Sequence, residues 1–291
     1  MDFLNVLVAG ILLGGIYALV AVGLNLVFGV VRVVNFAHGE FVMLGMYGAY
    51  VAYTAASIDP YVAVLLIAPA GFVLGVVVMK LVIEPLIDEH LMQIFATFGL
   101  VIIFQNAVLA LTRGESKSVR SEASTANLDL GVAVSVPRLV VLVIATVLTI
   151  GLVRFLRGST FGTAIRGVSQ DRVTARLMGI DVKRAYLLTF GLATALACLA
   201  GALLAPVYTA TPSVGFQFIM PAFAVVVLGG LGSVAGSYIG AMIVGIVEAF
   251  SGFYLDPALK QAIWFTLFLV ALVVLPSGLF GRKGSEEMRP A

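Results

Sequence analysis

A run of 63 residues without charge, 185–247, constrains the fold more than any other feature of the chain. It contains no Asp, Glu, Lys or Arg. A transmembrane helix needs about 20 consecutive apolar residues, so this run is long enough for roughly three crossings of a bilayer. Proline and paired glycines interrupt helices. We therefore predict breaks near Pro206–Pro212 and near Gly229–Ser233.

The rest of the chain repeats this pattern on a shorter scale. Hydrophobic residues make up 61% of the sequence and charged residues 11%, whereas soluble domains are about 25% charged. We predict an all-α polytopic membrane protein that forms a single transmembrane domain over residues 1–291. It would be a bundle of about 8–9 transmembrane helices, some of them short or broken. The other charge-free runs are 3–31, 41–58, 60–79, 91–112, 139–153 and 261–281.

The segment 154–184 predicts the orientation of the bundle. It contains seven of the 17 Lys and Arg residues, and positively charged loops remain in the cytoplasm. Alternation of the spans then places the loop 113–138 on the outer side and the tail 282–291 in the cytoplasm. The insert at 32–40 is either a loop or a re-entrant turn, and the second alternative would change the number of crossings by one.

The same basic segment predicts a short amphipathic helix. Ser169 is in a position to cap its N-terminus, and Gly179 is in a position to end it. Asp181 would cap the following span. Such a helix would bind lipid headgroups or dock a cytoplasmic partner, and the residues alone favour neither. The first turn would hold Gln170 and Asp171, the apolar stripe Val173, Leu177 and Met178, and another face Arg172 and Arg176.

The polar insert between the first two spans contains Asn35, His38 and Glu40. Ionisable groups at membrane depth are costly and usually face a cavity or a partner, so His38 and Glu40 are candidates for a proton relay. One histidine with one glutamate is too few for a metal site. The alternative is an interfacial turn in which Arg32 and Glu40 extend to the headgroups. Both alternatives remain open.

The glycine-rich segment 227–236 superficially matches a dinucleotide fingerprint. That fingerprint requires a soluble strand–turn–helix unit, whereas both flanks of this segment are apolar spans. A break between two short membrane helices explains the segment better. Such breaks occur where the backbone is buried in protein or lines a water-filled cavity. The residues of this break that we consider as pathway candidates are Gly229, Gly230, Gly232 and Ser233.

Motifs for catalysis and nucleotide hydrolysis are missing from the sequence. There is no G-x-x-x-x-G-K-[ST] string, no H-E-x-x-H and no G-x-S-x-G. We therefore expect no catalytic residue, metal or cofactor, and the net charge of +2 argues against nucleic acid as a partner. Glu248 lies either at the outer mouth of a pathway or at the membrane interface.

Four ordered motifs carry a resemblance to a known family. They are N-F-A-H-G-E at 35–40 after a span ending G-L-N-L-V-F-G-V; S-T-F-G-T-A-I-R, Q-D-R and L-M-G-I within 159–180; V-L-G-G-L-G-S-V-A-G at 227–236; and L-P-S-G-L-F-G-R at 275–282. Over essentially its whole length the chain resembles the inner-membrane permeases of branched-chain amino-acid ABC importers, the LivH type.

The resemblance implies a multi-pass permease subunit in a bacterial inner membrane. Its partners would be membrane lipid, a second homologous permease, two cytoplasmic ABC ATPases and a periplasmic substrate-binding protein. The segment 154–184 would be the cytoplasmic coupling loop and 113–138 a periplasmic loop. The residues that would contact the ATPase are Arg166, Gln170, Asp171, Arg172, Arg176, Met178 and Gly179.

Three alternatives to a branched-chain amino-acid importer follow. Related permeases for urea and short amides share the coupling-loop and glycine motifs, although they tend to have an N-terminal extension that this chain lacks. A secondary transporter driven by an ion gradient would use His38, Glu40 and Glu248 as titrating groups. A passive channel would need neither ATP nor an ion gradient.

Overall fold

The computed structural model describes residues 2–119, 127–129, 133–256, 259–275 and 277–281, so the predicted cytoplasmic tail at 282–291 lies outside the described residues. The helices are α1 Asp2–Val31, α2 His38–Ala56, α3 Pro60–Val78, α4 His90–Thr112, α5 Val136–Gly158, α6 Thr160–Gln170, α7 Arg172–Leu177, α8 Val182–Leu204, α9 Gly215–Gly229, α10 Val234–Tyr254 and α11 Lys260–Val274. A small antiparallel hairpin pairs β1 Asn127–Asp129 with β2 Ala133–Ser135. Beyond α3 the chain continues through a π-helical turn, Met79–Ile83, and a 3-10 turn, Glu84–Leu86.

The all-α polytopic class is confirmed. Within the described residues, six helices are long and apolar enough to cross a membrane. Two shorter apolar helices, Gly215–Gly229 and Ala262–Val274, accompany them. The six long segments are Asp2–Val31, Pro60–Leu86, His90–Thr112, Val136–Gly158, Val182–Leu204 and Val234–Tyr254.

Both predicted breaks in the 63-residue run are confirmed. Helix α8 ends at Leu204, α9 begins at Gly215 and ends at Gly229, and α10 begins at Val234. The first break contains Pro206 and Pro212, which cannot donate a backbone hydrogen bond. In the second break Gly230 and Gly232 have φ angles of 102° and 82°, a conformation that side chains with a Cβ rarely adopt.

Glycines bring the central helices into close contact. A Cβ on Gly201 of α8 would collide with the Val42 carbonyl oxygen of α2, and one on Gly45 of α2 would collide with the Cys198 carbonyl oxygen of α8. A Cβ on Gly71 of α3 would come within 2.8 Å of the side chain of the same residue, Cys198. Small residues of this kind let helices associate in lipid, where no hydrophobic effect drives them together.

The first and last thirds of the chain have the same arrangement in opposite directions. Helix α1 runs towards the end of the molecule that carries 159–181, because Arg32 contacts Ser169 there, and α8 starts at that end and runs away. Each is followed by a break and a shorter helix, α2 or α9. Helix α10 then packs along α1, and α3 packs along α8. We call the end that carries 159–181 the basic end.

The loop opposite the basic end is anchored by a backbone bridge. The Lys117 N–H donates to the Ala210 carbonyl at 2.9 Å, and the Ala210 N–H donates back at 2.8 Å. Helix α5 already begins at Val136 with Pro137 in its first turn, so the helix includes the last residues of the predicted 113–138 loop. Residues 120–126 and 130–132 of this loop lie outside the described residues.

Candidate functional site

Helix α2 begins deep inside the bundle rather than at its surface. The His38 Nε2 lies 3.2 Å from the Val20 carbonyl oxygen of α1. Val20 precedes the end of α1 by eleven residues, which is about 16 Å along a helix axis. Segment 32–37 therefore folds back from the basic end into the interior, as the re-entrant alternative for this insert predicts.

Helix α9 begins at the same depth and points the other way. A Cβ on Gly39 would collide with the Gly215 carbonyl oxygen, and a Cβ on Gly215 would come within 2.7 Å of Glu40 Oε1. The N-termini of α2 and α9 thus meet in the interior of the bundle. Each N-terminus carries a partial positive charge, and the preceding turns already accept hydrogen bonds from the N–H groups of His38, Glu40, Phe216 and Gln217. We call this meeting point the half-helix junction.

Three polar side chains of the predicted insert are buried at this junction. Asn35 and His38 are 0% exposed and Glu40 is 2% exposed. Gln105 of α4 donates from Nε2 to Glu40 Oε1 at 2.9 Å. The interfacial alternative is therefore wrong for Glu40, because its carboxyl group lies inside the bundle. Arg32 is exposed at the basic end, as that alternative expected.

Several polar atoms at the junction have free hydrogen-bonding capacity. Among the described residues, none forms a hydrogen bond with the Asn35 side-chain amide, His38 Nδ1 or Glu40 Oε2. Buried polar atoms are usually paired, so a polar ligand would find partners here; the other buried side-chain atoms without a partner in the described residues are the hydroxyls of Tyr61, Thr189 and Thr194. No group of three or more His, Cys, Asp or Glu suited to a metal occurs in the described part of the chain.

The glycine-rich break forms a second cluster, nearer the basic end. Asn25 of α1 is fully buried, and its Nδ2 donates to the Ser233 carbonyl at 2.9 Å and to the Gly230 carbonyl at 3.1 Å. Its Oδ1 accepts from the Gly232 N–H at 2.6 Å. The Asn25 side chain therefore supplies the acceptor for the Gly232 N–H and adds a second donor to two carbonyls that already accept from the Ser233 and Ser237 N–H groups.

The C-terminal motif completes this cluster. The N–H groups of Leu279 and Phe280 donate to the Leu228 and Gly229 carbonyls at 2.8 and 3.1 Å. These carbonyls end α9 and have no partner within the helix. The motifs at 227–236 and 275–282 are thus one structural unit. Along α1 this unit begins at Asn25, five residues or about 7 Å beyond Val20, which His38 of the half-helix junction contacts.

At the basic end, the predicted amphipathic helix is two helices. The Ser159 Oγ accepts from the Gly162 N–H and caps α6. Asp171 accepts from the Val173 and Thr174 N–H groups and caps α7. The prediction that Ser169 is the cap is wrong, because Ser169 lies in the last turn of α6 and its hydroxyl bonds the Arg166 carbonyl. Gly179, with φ of 81°, follows α7 as predicted.

The cap of the following span is confirmed at Asp181. Its Oδ1 accepts from the Arg184 N–H at 3.1 Å, and α8 begins at Val182. Helix α5 continues to Gly158. The flanking helices therefore extend into the predicted 154–184 loop: Arg154 and Arg157 lie in α5, and Lys183 and Arg184 lie in α8.

The charged residues of the basic end divide into paired and unpaired groups. Arg172 forms an ion pair with Asp88 at 2.8 Å, and Lys183 forms one with Glu84 at 2.7 Å. These pairs tie the start of α7 and of α8 to the turns after α3. Arg166 and Arg176 are exposed. Hydrogen bonds from the Thr174 hydroxyl and from the Thr174 and Val173 N–H groups hold the pKa of Asp171 below its usual range.

Helix α7 also exposes apolar side chains. Leu177 is 83% exposed, Met178 77% and Val173 58%. Together they form the stripe that the sequence predicts. Helix α6 instead buries Gly162, Ile165 and Val168 against the bundle. The exposed stripe and the unpaired Arg176 thus lie on one six-residue helix and its end, and we call Arg172–Gly179 the α7 projection.

Glu248 is half-buried in α10 and not at its end. The Tyr17 Oη of α1 donates to Glu248 Oε2 at 2.7 Å. The carboxyl group is therefore held against α1.

Sequence reasoning missed two residues of these clusters, Asn25 and Gln105. Both are polar side chains inside otherwise apolar spans, and such residues usually face the interior of a bundle or a partner. This signal was available in the sequence. The pairing of Gln105 with Glu40 was not, because 65 residues separate them.

Comparison with known proteins assigns the chain to one family. Residues 6–273 match the family described as branched-chain amino acid transport system / permease component. No solved structure matches the chain.

Relatives with assigned names cover almost the whole chain. It is 32% identical over 302 residues to the high-affinity branched-chain amino acid transport system permease protein LivH of Escherichia coli strain K12, covering 98% of each chain. It is 30% identical over 304 residues to the corresponding protein BraD of Pseudomonas aeruginosa, also covering 98% of each. A probable LivH of Methanocaldococcus jannaschii is 29% identical, covering 95% of this chain and 92% of that protein.

Proposed function

The chain belongs to the family of branched-chain amino acid transport system permease components, and from this premise we propose that it is the permease subunit of an ATP-driven ABC importer for branched-chain amino acids. The observation that carries the proposal is the full-length similarity to permeases named for this substrate class. Such a subunit is a transport protein of the bacterial inner membrane and not an enzyme.

We propose that the whole described chain is one transmembrane domain with nine membrane-embedded helices. These would be all the helices of the described residues except α6 and α7. Helices α2 and α9 would reach only from the middle of the membrane to one face. Broken helices of this kind are tolerated where they line a cavity or are buried in protein.

The half-helix junction is our candidate for the translocation pathway. Two helix N-termini and the unpaired polar atoms of Asn35, His38 and Glu40 meet there. An amino acid is a zwitterion: its carboxylate suits the positive ends of the helices, and its ammonium group suits the Glu40 carboxyl. The surrounding apolar residues, including Phe41 and Phe218, suit a branched aliphatic side chain.

For the residues at 229–233 we propose a different role from the one that their sequence suggested. Asn25 and the 279–280 backbone occupy their hydrogen bonds, so they are less available to a substrate than the junction is. This cluster would instead hold the basic-end halves of α9 and α10 to α1 while the bundle changes conformation.

The α7 projection is our candidate for the coupling helix. Its stripe of Val173, Leu177 and Met178 is an exposed apolar patch, and such patches mark interaction sites. Apolar side chains on one face of a helix bind in an apolar groove of a partner protein. The partner class would be an ABC ATPase, because the chain has no nucleotide-binding loop of its own. A second permease and a periplasmic binding protein would complete the assembly.

The function is tested by transport with defined partners. The chain is reconstituted in liposomes with and without its ATPases and binding protein, and leucine uptake is measured with and without internal ATP. We expect uptake only in the complete assembly with ATP. Uptake by the isolated chain that an uncoupler abolishes would overturn the proposal in favour of a secondary transporter, and uptake with neither ATP nor a gradient would indicate a channel.

Substrate class is tested in the same liposomes by competition. We expect unlabelled leucine, isoleucine and valine to reduce labelled leucine uptake, and urea and acetamide to leave it unchanged. Competition by urea or acetamide, with none by isoleucine and valine, would favour the amide branch of related permeases.

The coupling role is tested with Leu177→Glu. A charge on the exposed stripe should prevent docking, so we expect the ATPase to be lost from the purified complex and substrate-stimulated ATP hydrolysis to fall at least about tenfold, the effect of a 1.4 kcal/mol loss of docking energy. Leu177→Met keeps the stripe apolar and should behave as the unsubstituted chain does. Normal ATPase retention with Leu177→Glu would exclude α7 as the docking helix.

A further inference from the structure

A groove of about 640 Å³ lies between α5 and α10, on the half of the bundle nearest the basic end. Its walls are apolar side chains, Ile150 and Val153 of α5 and Ile239 of α10. Ile150 is 51% exposed and Ile239 40% exposed. The groove is separate from the half-helix junction, and the transport mechanism proposed above does not use it.

The dimensions of the groove match one leaflet of a bilayer. Along α5 it extends from Thr149 to Gly158, a rise of about 13 Å, and half of a hydrocarbon core is about 15 Å. Towards the middle of the membrane, a hydrogen bond of 2.7 Å between Thr146 Oγ1 and Tyr238 Oη joins the two helices. The groove therefore narrows at the depth where an acyl chain of that leaflet would end.

The other end of the groove is positively charged. Arg154 and Arg157 line it, and both are exposed. No carboxylate lines the groove, and within the described residues neither guanidinium group forms an ion pair or a hydrogen bond. Arg157 also borders a neighbouring cavity with Arg32 and Arg166. An anion at this end would therefore face several arginines and no acidic side chain.

We propose that this groove binds an anionic phospholipid of the adjacent leaflet. The phosphate group would lie between Arg154 and Arg157, and an acyl chain would lie on Ile150, Val153 and Ile239. Basic pockets between membrane helices on the cytoplasmic side bind anionic headgroups in this manner. The length of one leaflet and the charge at one end distinguish a lipid from a protein helix, which would need neither. The inference requires only that the chain spans a membrane.

The test measures bound lipid on the assembled permease. The complex is purified from nanodiscs containing equal phosphatidylglycerol and phosphatidylcholine, and retained lipid is quantified by native mass spectrometry. We expect retained phosphatidylglycerol in excess of phosphatidylcholine. Each arginine near an anionic headgroup changes binding about fivefold, so Arg154→Gln with Arg157→Gln should lower retention roughly twenty- to thirtyfold.

Two further variants make the result specific. Lys80→Gln removes an exposed positive charge outside the groove and should leave retention unchanged. Ile239→Trp places a larger side chain in the apolar part of the groove, keeps both arginines and should also lower lipid retention. This variant tests lipid binding in the groove if the double arginine variant does not fold.

Three results would overturn the proposal. Equal loss with Lys80→Gln would indicate general attraction of the basic end for anionic lipid. Unchanged retention in both groove variants would show that no lipid binds there. Displacement of the lipid by inorganic phosphate alone would indicate a site for a free anion.

Discussion

At the scale of single residues, glycines and a few buried amides decide how the helices of this chain pack. Gly201 and Gly45 allow α2 and α8 to approach until a methyl group would overlap the opposing backbone. Gly99 of α4 has no atom near its missing Cβ. Replacement of glycine by alanine should therefore lower the stability of the bundle at position 201 and not at position 99.

We predict that Gly201→Ala destabilises the bundle by about 1–3 kcal/mol, because the added methyl group must displace the α2 backbone. Gly99→Ala is the matched control and should be neutral or up to about 1 kcal/mol stabilising, since alanine is the better helix former. Thermal unfolding of both variants in detergent measures the difference. Equal stabilities would show that α2 and α8 do not pack as closely as described.

Asn25 is the second residue with a large expected effect. We predict that Asn25→Leu lowers stability by about 1–3 kcal/mol, because the Gly232 N–H and the buried Ser237 hydroxyl lose their partner, while the Gly230 and Ser233 carbonyls keep their backbone donors. Asn5→Leu on the exposed first turn of α1 is the control and should have little effect. Hydrogen exchange at 229–233 should increase only in the Asn25 variant, and unchanged protection there would contradict the role of this side chain.

At the scale of elements, the short helices α6 and α7 depend on side-chain contacts rather than on length. Isolated helices below about 12–15 residues are marginal in water, and α7 has six residues. The cap by Asp171 and the ion pair of Arg172 with Asp88 hold it in place. Since the Asp171 pKa is lowered in the folded chain, the cap contributes at neutral pH and is lost as the pH falls through that lowered pKa.

We predict that Arg172→Asp uncouples ATP hydrolysis from substrate, because two acidic groups at positions 88 and 172 repel each other and detach α7 from the turn after α3. The double variant with Asp88→Arg restores the opposite charges and should restore coupling. An exposed ion pair contributes only about 0–1 kcal/mol, so thermal stability should scarcely change in either variant. Failure of the charge swap to rescue substrate-stimulated hydrolysis would mean that Arg172 contacts the ATPase itself.

At the scale of the whole molecule, two inverted units place two helix N-termini in the interior. Each unit is a long helix, a break and a half-helix, and the half-helices α2 and α9 meet at Gly39 and Gly215. Elements that meet through such contacts can move apart as rigid bodies, which is how inverted units alternate access around a central site. Under the proposed function, ATP supplies the energy for this movement, and no residue of the junction needs to titrate.

We predict that Glu40→Gln reduces ATP-driven leucine uptake about ten- to hundredfold without abolishing it, because a hydrogen bond from the substrate ammonium to a charged carboxylate contributes about 1.5–3 kcal/mol. The glutamine carbonyl can still accept from Gln105, and the junction keeps its shape. Glu40→Ala, which removes the acceptor, should reduce uptake more strongly. If Glu40→Gln abolishes uptake and an uncoupler abolishes it in the unsubstituted assembly, then Glu40 carries protons and the ATP-driven mechanism is wrong.

Local features of this fold were predictable where neighbouring residues determine them. The breaks at Pro206–Pro212 and Gly229–Ser233, the end of α7 at Gly179 and the cap at Asp181 all depend on residues within a turn of their effect. The choice of Ser169 as a cap was wrong because Ser159 and Asp171 compete for the same role. Both serines and the aspartate are suitable caps, and burial of one face of α6 selected between them.

The sequence by itself determined the membrane class, the positions of the breaks and the basic end, because lipid requires long uncharged helices and proline, glycine and arginine act locally. Only the tertiary structure decided that 32–37 re-enters the bundle, that Glu40 meets Gln105 and Gly215, and that Asn25 and residues 279–280 complete the glycine break. Those contacts join residues separated by 50 to more than 200 positions. They depend on how whole helices pack, and no local pattern in the chain encodes that packing.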